Sequence, residues 1–476
     1  MVRTARLPLF LLLTAAAFGQ TTPRPLSPSP APGTPSSPNG QAAPVVAPPN
    51  SAVPPPPVTV PTAGLPALSL PEAALTALRH HPDLKIADAQ IDQAQAQMRI
   101  ASAPFYPTIR GNVSFSYSEA QNAGVGGQSV VRTGGVRNYN TGISASQLIT
   151  DFGRTQSSLD IAGANKDAVL WQRGDAVQTL LLRVAESYFT VLRTHQDVEI
   201  NRENVRNAEV QVGRAKGFYE AGTRARIEVT RAESDLATAQ VGLIAAENSE
   251  QKAVTAFLTA LGTPDAGPVG LLEAKLLAPT WSRVEAVRKA AETRPDLQAA
   301  FARVEAAAAR VRNAEAQYYP SLSANYSYAW SEAYFPPSPY NWNVGMALSI
   351  PLLNEPALGA GVQSAEAQKV QAEGNQELLA LQIQQQATEA WLNLQEARSR
   401  AQAAQVALRS NEENYRLASE RYNVGVGTSL EVSDAQRLLI QARSQEVQAR
   451  FDVQLSIARL YRQAGNLTLE TLLPTN

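Results

Sequence analysis

The side chains that could do covalent chemistry are few and badly placed for it. The 476 residues include three histidines and no cysteine, so thiol nucleophiles, thiolate metal sites, disulfides and lipidation of an N-terminal cysteine are all excluded. His80 and His81 sit side by side before Pro82, and His195 lies far away in a helix-forming stretch. They make no metal-binding trio and no HExxH motif. For the pair, the simple reading is positive charge at a helix C-terminus. GVGGQ, Gly124 to Gln128, has the glycines of a phosphate loop but neither the lysine nor the helix that should follow. No enzyme, cofactor or metal is expected. What remains is charge at two glycine-marked stretches, YEAGTRARIEVTRA (Tyr219 to Ala232) and YNVGVGTSLEVSDA (Tyr422 to Ala435). Both fit Y-x-x-G-x-x-x-x-[IL]-E-V-x-x-A. In the second, Glu431 and Asp434 stand three apart at a helix start and so share a face. Glu431 also fits a capping box with Thr428.

The shared pattern means that the chain is read as two halves. HPDL (His81 to Leu84) recurs as RPDL (Arg294 to Leu297), and FYPT (Phe105 to Thr108) recurs as YYPS (Tyr318 to Ser321). Three matches in the same order at an offset of about 200 residues describe one duplicated domain rather than a solenoid. The halves are taken as 67–270 and 271–466, with a tail at 467–476. Before them stand a signal peptide, 1–19, and a linker, 20–66. The first has Arg3 and Arg6, the apolar run LPLFLLLTAAAF and a small-residue cleavage site before Gln20. The linker holds about half of the chain's 32 prolines and suits an extended, coreless spacer.

Each half reads helix, strand, strand, long helix, break, helix. Ala, Leu, Gln, Glu and Arg fill the helical stretches and proline is absent from their interiors. Helices are expected at about 84–103, 154–216 and 228–261, and again at 297–317, 358–421 and 429–464. The long ones, about 63 residues, span roughly 95 Å at 1.5 Å per residue. Rods of that length do not fit inside a compact domain. The shorter helices of each half match the long one if stacked end to end beside it, and a hollow bundle with a polar interior suits the alanine-rich composition.

Between the helices lie two hairpins, 108–150 and 321–353, whose four strands alternate with period two. Ile109, Val113, Phe115, Tyr117, Tyr139, Ile143, Tyr326, Tyr328, Trp330, Trp342, Val344, Met346 and Leu348 take one face; serine and asparagine dominate the other. Each is about the length of a membrane-spanning strand, ~10 residues. Aromatics mark the ends: Phe105, Tyr106, Tyr318 and Tyr319 on one side, Trp330, Tyr334, Tyr340 and Trp342 on the other, as an interfacial girdle requires. The smallest closed barrel needs about eight strands, and open edges in lipid leave peptide groups unpaired. The chain is therefore expected to meet membrane lipid as an oligomer, eight strands from a dimer or twelve from a trimer. Lys and Arg number 41 against 42 Asp and Glu, with no basic block, and nucleic acid is not an expected partner.

From Leu68 to Gly465 the sequence resembles the TolC-like outer-membrane efflux channels of Gram-negative bacteria. The resemblance rests on the duplicated plan, the YP junctions, the strand-to-helix turns LITDFGR (Leu148 to Arg154) and SIPLLN (Ser349 to Asn354), and the two Y-x-x-G tips. It implies a mixed α+β homotrimer, a twelve-stranded barrel in the outer membrane continued by a twelve-helix tunnel in the periplasm. There the tunnel docks a periplasmic adaptor protein bound to an inner-membrane pump and lets small molecules out. The same duct can serve type I protein secretion; a periplasmic coiled-coil scaffold or adhesin is the alternative of another class. By resemblance the tips, 218–228 and 421–431, form the periplasmic mouth. Glu431 and Asp434 match the acids that narrow it, and Tyr422 and Glu228 match a closing latch. The latch arginine falls on Gly427, while the other tip carries Arg224, Arg226 and Arg231, so an arginine of that tip is expected to reach Glu431 or Asp434. Gly222, Thr223, Gly425, Val426 and Gly427 are the expected adaptor contacts.

Overall fold

The computed structural model describes residues 67–118, 135–264, 270–332, 340–352 and 354–472. The signal peptide, the proline-rich linker, GVGGQ and Tyr334 lie outside these residues.

The chain opens with β1 (Ala67–Leu68), α1 (Leu70–His80) and α2 (Pro82–Ser102), then β2 (Thr108–Ser118), β3 (Val136–Thr150), α3 (Arg154–Glu220) and α4 (Arg226–Leu261). The order then repeats as β4 (Gly270–Leu271), α5 (Arg283–Thr293), α6 (Pro295–Glu315), β5 (Ser321–Glu332), β6 (Tyr340–Ser349), α7 (Glu355–Asn423) and α8 (Ser429–Gln463). The rods α3 and α7 hold 67 and 69 residues, each about 100 Å of helix. α3 packs along α2 and α4, and α7 along α6 and α8, so the shorter helices do lie beside the long ones.

Two elements depart from expectation. The eleven-residue helices α1 and α5 precede the expected ones, which begin at Pro82 and Pro295. A residue before proline is driven out of the helical region, and His81 and Arg294 adopt extended backbone (ψ 131° and 122°), so the HPDL and RPDL motifs end one helix and start the next. His81 stands at the C-cap of α1, the helix end expected for the pair, and is also the N-cap of α2. Its ring Nδ1 accepts the Asp83 N–H at 3.1 Å and caps α2; His80, in the last turn of α1, donates to the Thr76 carbonyl at 3.0 Å.

The main core gathers where α1, α3, α4 and α8 meet, around Leu70, Tyr188, Phe189, Phe257, Phe451 and Leu460. Tyr188 ties the two beginnings together: its hydroxyl donates to the carbonyls of Leu68, at 3.1 Å, and Leu272, across the parallel pair β1–β4. The boundary expected at 270/271 thus falls within β4. Leu467 and Leu472, expected in a tail, are fully buried in this core. Apolar burial, worth about 1.5–3 kcal/mol per leucine side chain, holds residues 467–472 in place.

The remaining strands form one antiparallel sheet in the order β2-β3-β5-β6. Its register lines up Ile109, Ala145, Tyr326 and Val344 in one row and Gly111, Ile143, Tyr328 and Trp342 in the next, which sets the apolar residues of all four strands on a single face. On the other face Ser146 donates to Asn325 at 2.8 Å and Ser331 to Asn138 at 2.9 Å. β2 and β6 each have one neighbour in the chain and one free edge.

Candidate functional site

Each tip is built by the helix end preceding it. α3 stops where Gly222 takes φ 69° and α7 where Gly425 takes φ 81°, left-handed values that cost any residue with a Cβ. The amides then fold back in the same way: Gly222 and Thr223 donate to Tyr219 and Phe218, and Gly425 and Val426 donate to Tyr422 and Arg421, at 2.9–3.1 Å. This is the Schellman arrangement, which satisfies carbonyls a helix end leaves open. At the second tip Gly427 also donates to the Arg421 carbonyl at 2.9 Å. There a Cβ would meet the Tyr422 nitrogen at 3.0 Å.

The two tips meet through Tyr422. Its ring is 3% exposed and packs with Ala418, Val432 and Ala435, edge-on to Phe218 at 5.7 Å. Its hydroxyl donates to Glu228 Oε2 at 3.2 Å. Burial, with the Glu228 carboxylate second, raises the Tyr422 pKa, so the phenol stays neutral and available as a donor. Arg224 completes the cluster: its guanidinium lies 5.3 Å from the Tyr422 ring centre, pairs with Glu228 Oε1 at 3.4 Å and donates to the Gly427 carbonyl at 3.1 Å.

Arg224 therefore does cross to the other tip, but not to Glu431 or Asp434. It takes the nearer groups, a carboxylate one turn along α4 and a carbonyl that the glycine turn exposes. Glu431 and Asp434 instead find cations in their own half, Arg421 and Arg437, each at 3.8 Å. The expected capping box is one-sided. Thr428 accepts the Glu431 N–H at 3.3 Å, while the Glu431 carboxylate takes the Thr428 hydroxyl, at 3.4 Å, rather than its N–H. Ser282 and Glu285 make the reciprocal pair at α5. Arg231 lines a cleft of about 260 Å³ with Asn204, Asp235 and Gln436, and neither Arg226 nor Arg231 forms an ion pair among the described residues. Val424 and Val426 are 73% and 72% exposed, so the second turn offers apolar surface to solvent. Phe218, Arg421 and Arg437 were not among the expected site residues. The signal for Arg437 was weak, since three-residue spacings to acids occur all along these helices, and Arg421 carried none, standing ten residues before Glu431 across the turn.

Paired rods, a four-stranded sheet apolar on one face and open at both edges, and two tips packed on each other define an outer-membrane channel subunit by fold. The model of the outer membrane efflux protein family matches residues 74–263 and 286–466, and the chain belongs to that family. It is 28% identical over 395 residues to the pyoverdine export outer membrane protein OpmQ of Pseudomonas putida, covering 80% of this chain and 83% of that one. It is 27% identical over 403 residues to the cation efflux system protein CusC of Escherichia coli, covering 82% and 84%. Among solved structures, CusC superposes with TM-score 0.73 at 22% identity, covering 84% of this chain and 93% of the other. VceC of Vibrio cholerae superposes with TM-score 0.70 at 21% identity, covering 84% and 97%. The family is one of outer-membrane channels rather than of enzymes, and the protein is an outer-membrane efflux channel.

Proposed function

We propose that three copies of this chain close a twelve-stranded barrel in the outer membrane and continue it as a twelve-helix duct through the periplasm. There the tips dock a periplasmic adaptor carrying an inner-membrane pump, and the duct passes small molecules outward. One observation carries this reading: β2 and β6 end the sheet with unpaired edges, while residues such as Ile109, Val113, Trp342, Val344 and Met346 on the apolar face are 59–80% exposed. In lipid each unpaired peptide group costs several kcal/mol, and copies that pair edge to edge remove that cost. Relatives of similar likeness are named for pyoverdine and for cations, which supports reading this chain as the duct, with the choice of cargo resting mainly with the pump. The test is the mass of the full chain in mild detergent: a protein mass near three chains is expected, and a monomer overturns the reading.

At the mouth, Glu431 and Asp434 of the three copies come together near the axis and narrow it. Tyr422, Glu228 and Arg224 hold the tips of each copy shut. Arg226 and Arg231 meet carboxylates of the neighbouring copy. Gly222, Thr223, Gly425, Val426 and Gly427 face the adaptor. Changing Arg224, Arg226 and Arg231 together to Gln is expected to raise single-channel conductance; an unchanged conductance removes the gating part.

A further inference from the structure

The polar face of the sheet carries a single charge. Beyond a row of Leu148, Ser323 and Ala347 on the side of the helices, its rows are Thr108, Ser146, Asn325 and Gly345; then Arg110, Ser144, Ser327 and Asn343; then Asn112, Gly142, Ala329 and Asn341. Beyond them Ser114 pairs with Asn140, Asn140 with Ser331, and Ser116 with Asn138. Among the described residues Arg110 is the only ionisable side chain on this face. It is exposed, and its guanidinium has no ion pair or hydrogen bond among them. The neutral groups around it are partly spent on one another, as in the Ser146–Asn325 bond. Nothing on the face opposes its charge.

The mouth differs. There each acid of the pair Glu431 and Asp434 has an arginine at 3.8 Å. Charges of both signs side by side cancel at a distance, whereas an isolated guanidinium projects its field as far as salt allows. An arginine keeps its charge across the whole working pH range, and on the lipid side of the sheet it would be costly. It stands instead on the side that can be wet.

We infer that Arg110 sets the charge preference of the duct. In the trimer proposed above, on which this inference rests, three copies place a ring of fixed positive charge inside the barrel, in the half of the sheet nearer the helices. The ring concentrates small anionic solutes at that level and disfavours cationic ones. Low-dielectric walls focus the field across the lumen, and serine and asparagine supply hydrogen bonds without a countercharge.

The reversal potential of the purified full chain in a planar bilayer, under a potassium chloride gradient, tests this. The chloride-to-potassium permeability ratio is expected to fall from the native chain to Arg110→Gln and again to Arg110→Glu. Each step should be at least about twofold near 0.1 M salt, where the screening length is about 10 Å, and shrink near 1 M, where it is about 3 Å. Equal ratios in the three proteins at low salt overturn the role of Arg110 and leave the channel standing. A native chain that is monomeric and passes no current overturns the channel itself, and this inference with it. Because the chain has no cysteine, Arg110→Cys gives a unique thiol. A water-soluble trimethylammonium thiol reagent should restore the native ratio and a sulfonate reagent should push it the other way, while Ile109→Cys, on the apolar face, should not react. Failure of Arg110→Cys to react in the folded trimer also overturns the inference.

Discussion

Tyr219 and Tyr422 occupy the same position of the same local pattern, each three residues before a glycine with positive φ, yet Tyr219 is 46% exposed and Tyr422 is 3% exposed. The turns they precede share the same amide bonds. What differs is the neighbour. Tyr422 lies against Phe218, Arg224 and Glu228 of the first tip, so the second tip supplies the buried tyrosine and the first supplies its aromatic neighbour and the ionic groups. Duplication made two equal turns, and packing of one on the other gave them unequal tasks.

The strongest way to break this comparison is to remove each ring. Tyr422→Ala is expected to cost about 3–5 kcal/mol, as for a large aromatic cut from a packed site, and Tyr219→Ala at most about 0.5 kcal/mol. Hydrogen exchange of the amides between Tyr415 and Ala435 reads the difference; equal loss of protection in the two variants would refute the asymmetry. The ionic groups come next. The side chains of Arg224 and Glu228 are 23% and 16% exposed, and Arg224→Gln leaves a largely shielded carboxylate with fewer partners, at about 1–3 kcal/mol. Combined with Glu228→Gln the cost should be less than the sum of the two, and strict additivity in the same exchange measurement would separate the two residues.

The glycines sharpen the comparison from the other side. A Cβ at Gly222 or Gly425 meets nothing within 4 Å, so alanine at either should cost the same, about 1 kcal/mol, from backbone angle alone. Unequal costs would mean that the turns are not equivalent. The smallest effect compares the rods. His195 Nδ1 meets Glu250 at 2.7 Å between α3 and α4, and Arg400 meets Asp452 at 3.3 Å between α7 and α8. The hydrogen bond to Glu250 raises the His195 pKa, against a smaller opposing effect of burial. Since the folded value lies above the unfolded one, this pair's contribution is full below about pH 6.5 and fades as pH rises through the folded value. Exchange along α4 should therefore quicken between pH 6 and pH 8 after correction for intrinsic rates, and along α8 it should not.

Much of the fold was readable because it is periodic. α3 and α7 begin and end within a few residues of their expected limits, since proline, glycine and composition mark them, and the period of two put Ile109 and Trp342 on the apolar face before any register was known. α1 and α5 were missed although each opens on a capping box, Ser69 with Glu72 and Ser282 with Glu285, because each is only eleven residues long and stops at an X-Pro break. The burial of Leu467 and Leu472 was missed because two leucines in a polar terminus declare nothing until a core surrounds them. At the tips, Tyr422 and Glu228 were legible as a pair from family likeness, whereas the target of Arg224 was not, because a long flexible side chain chooses among groups brought close by other helices.

The sequence by itself determined where the chain turns, which residues of each strand share a face and that no thiol or histidine cluster exists, since these follow from backbone sterics, residue period and composition. Only the tertiary structure decided which of two like tyrosines is buried, where Arg224 makes its bonds and how the two beginnings are tied through Tyr188. Those contacts join segments up to about two hundred residues apart, and no local rule of spacing reaches across the bundle.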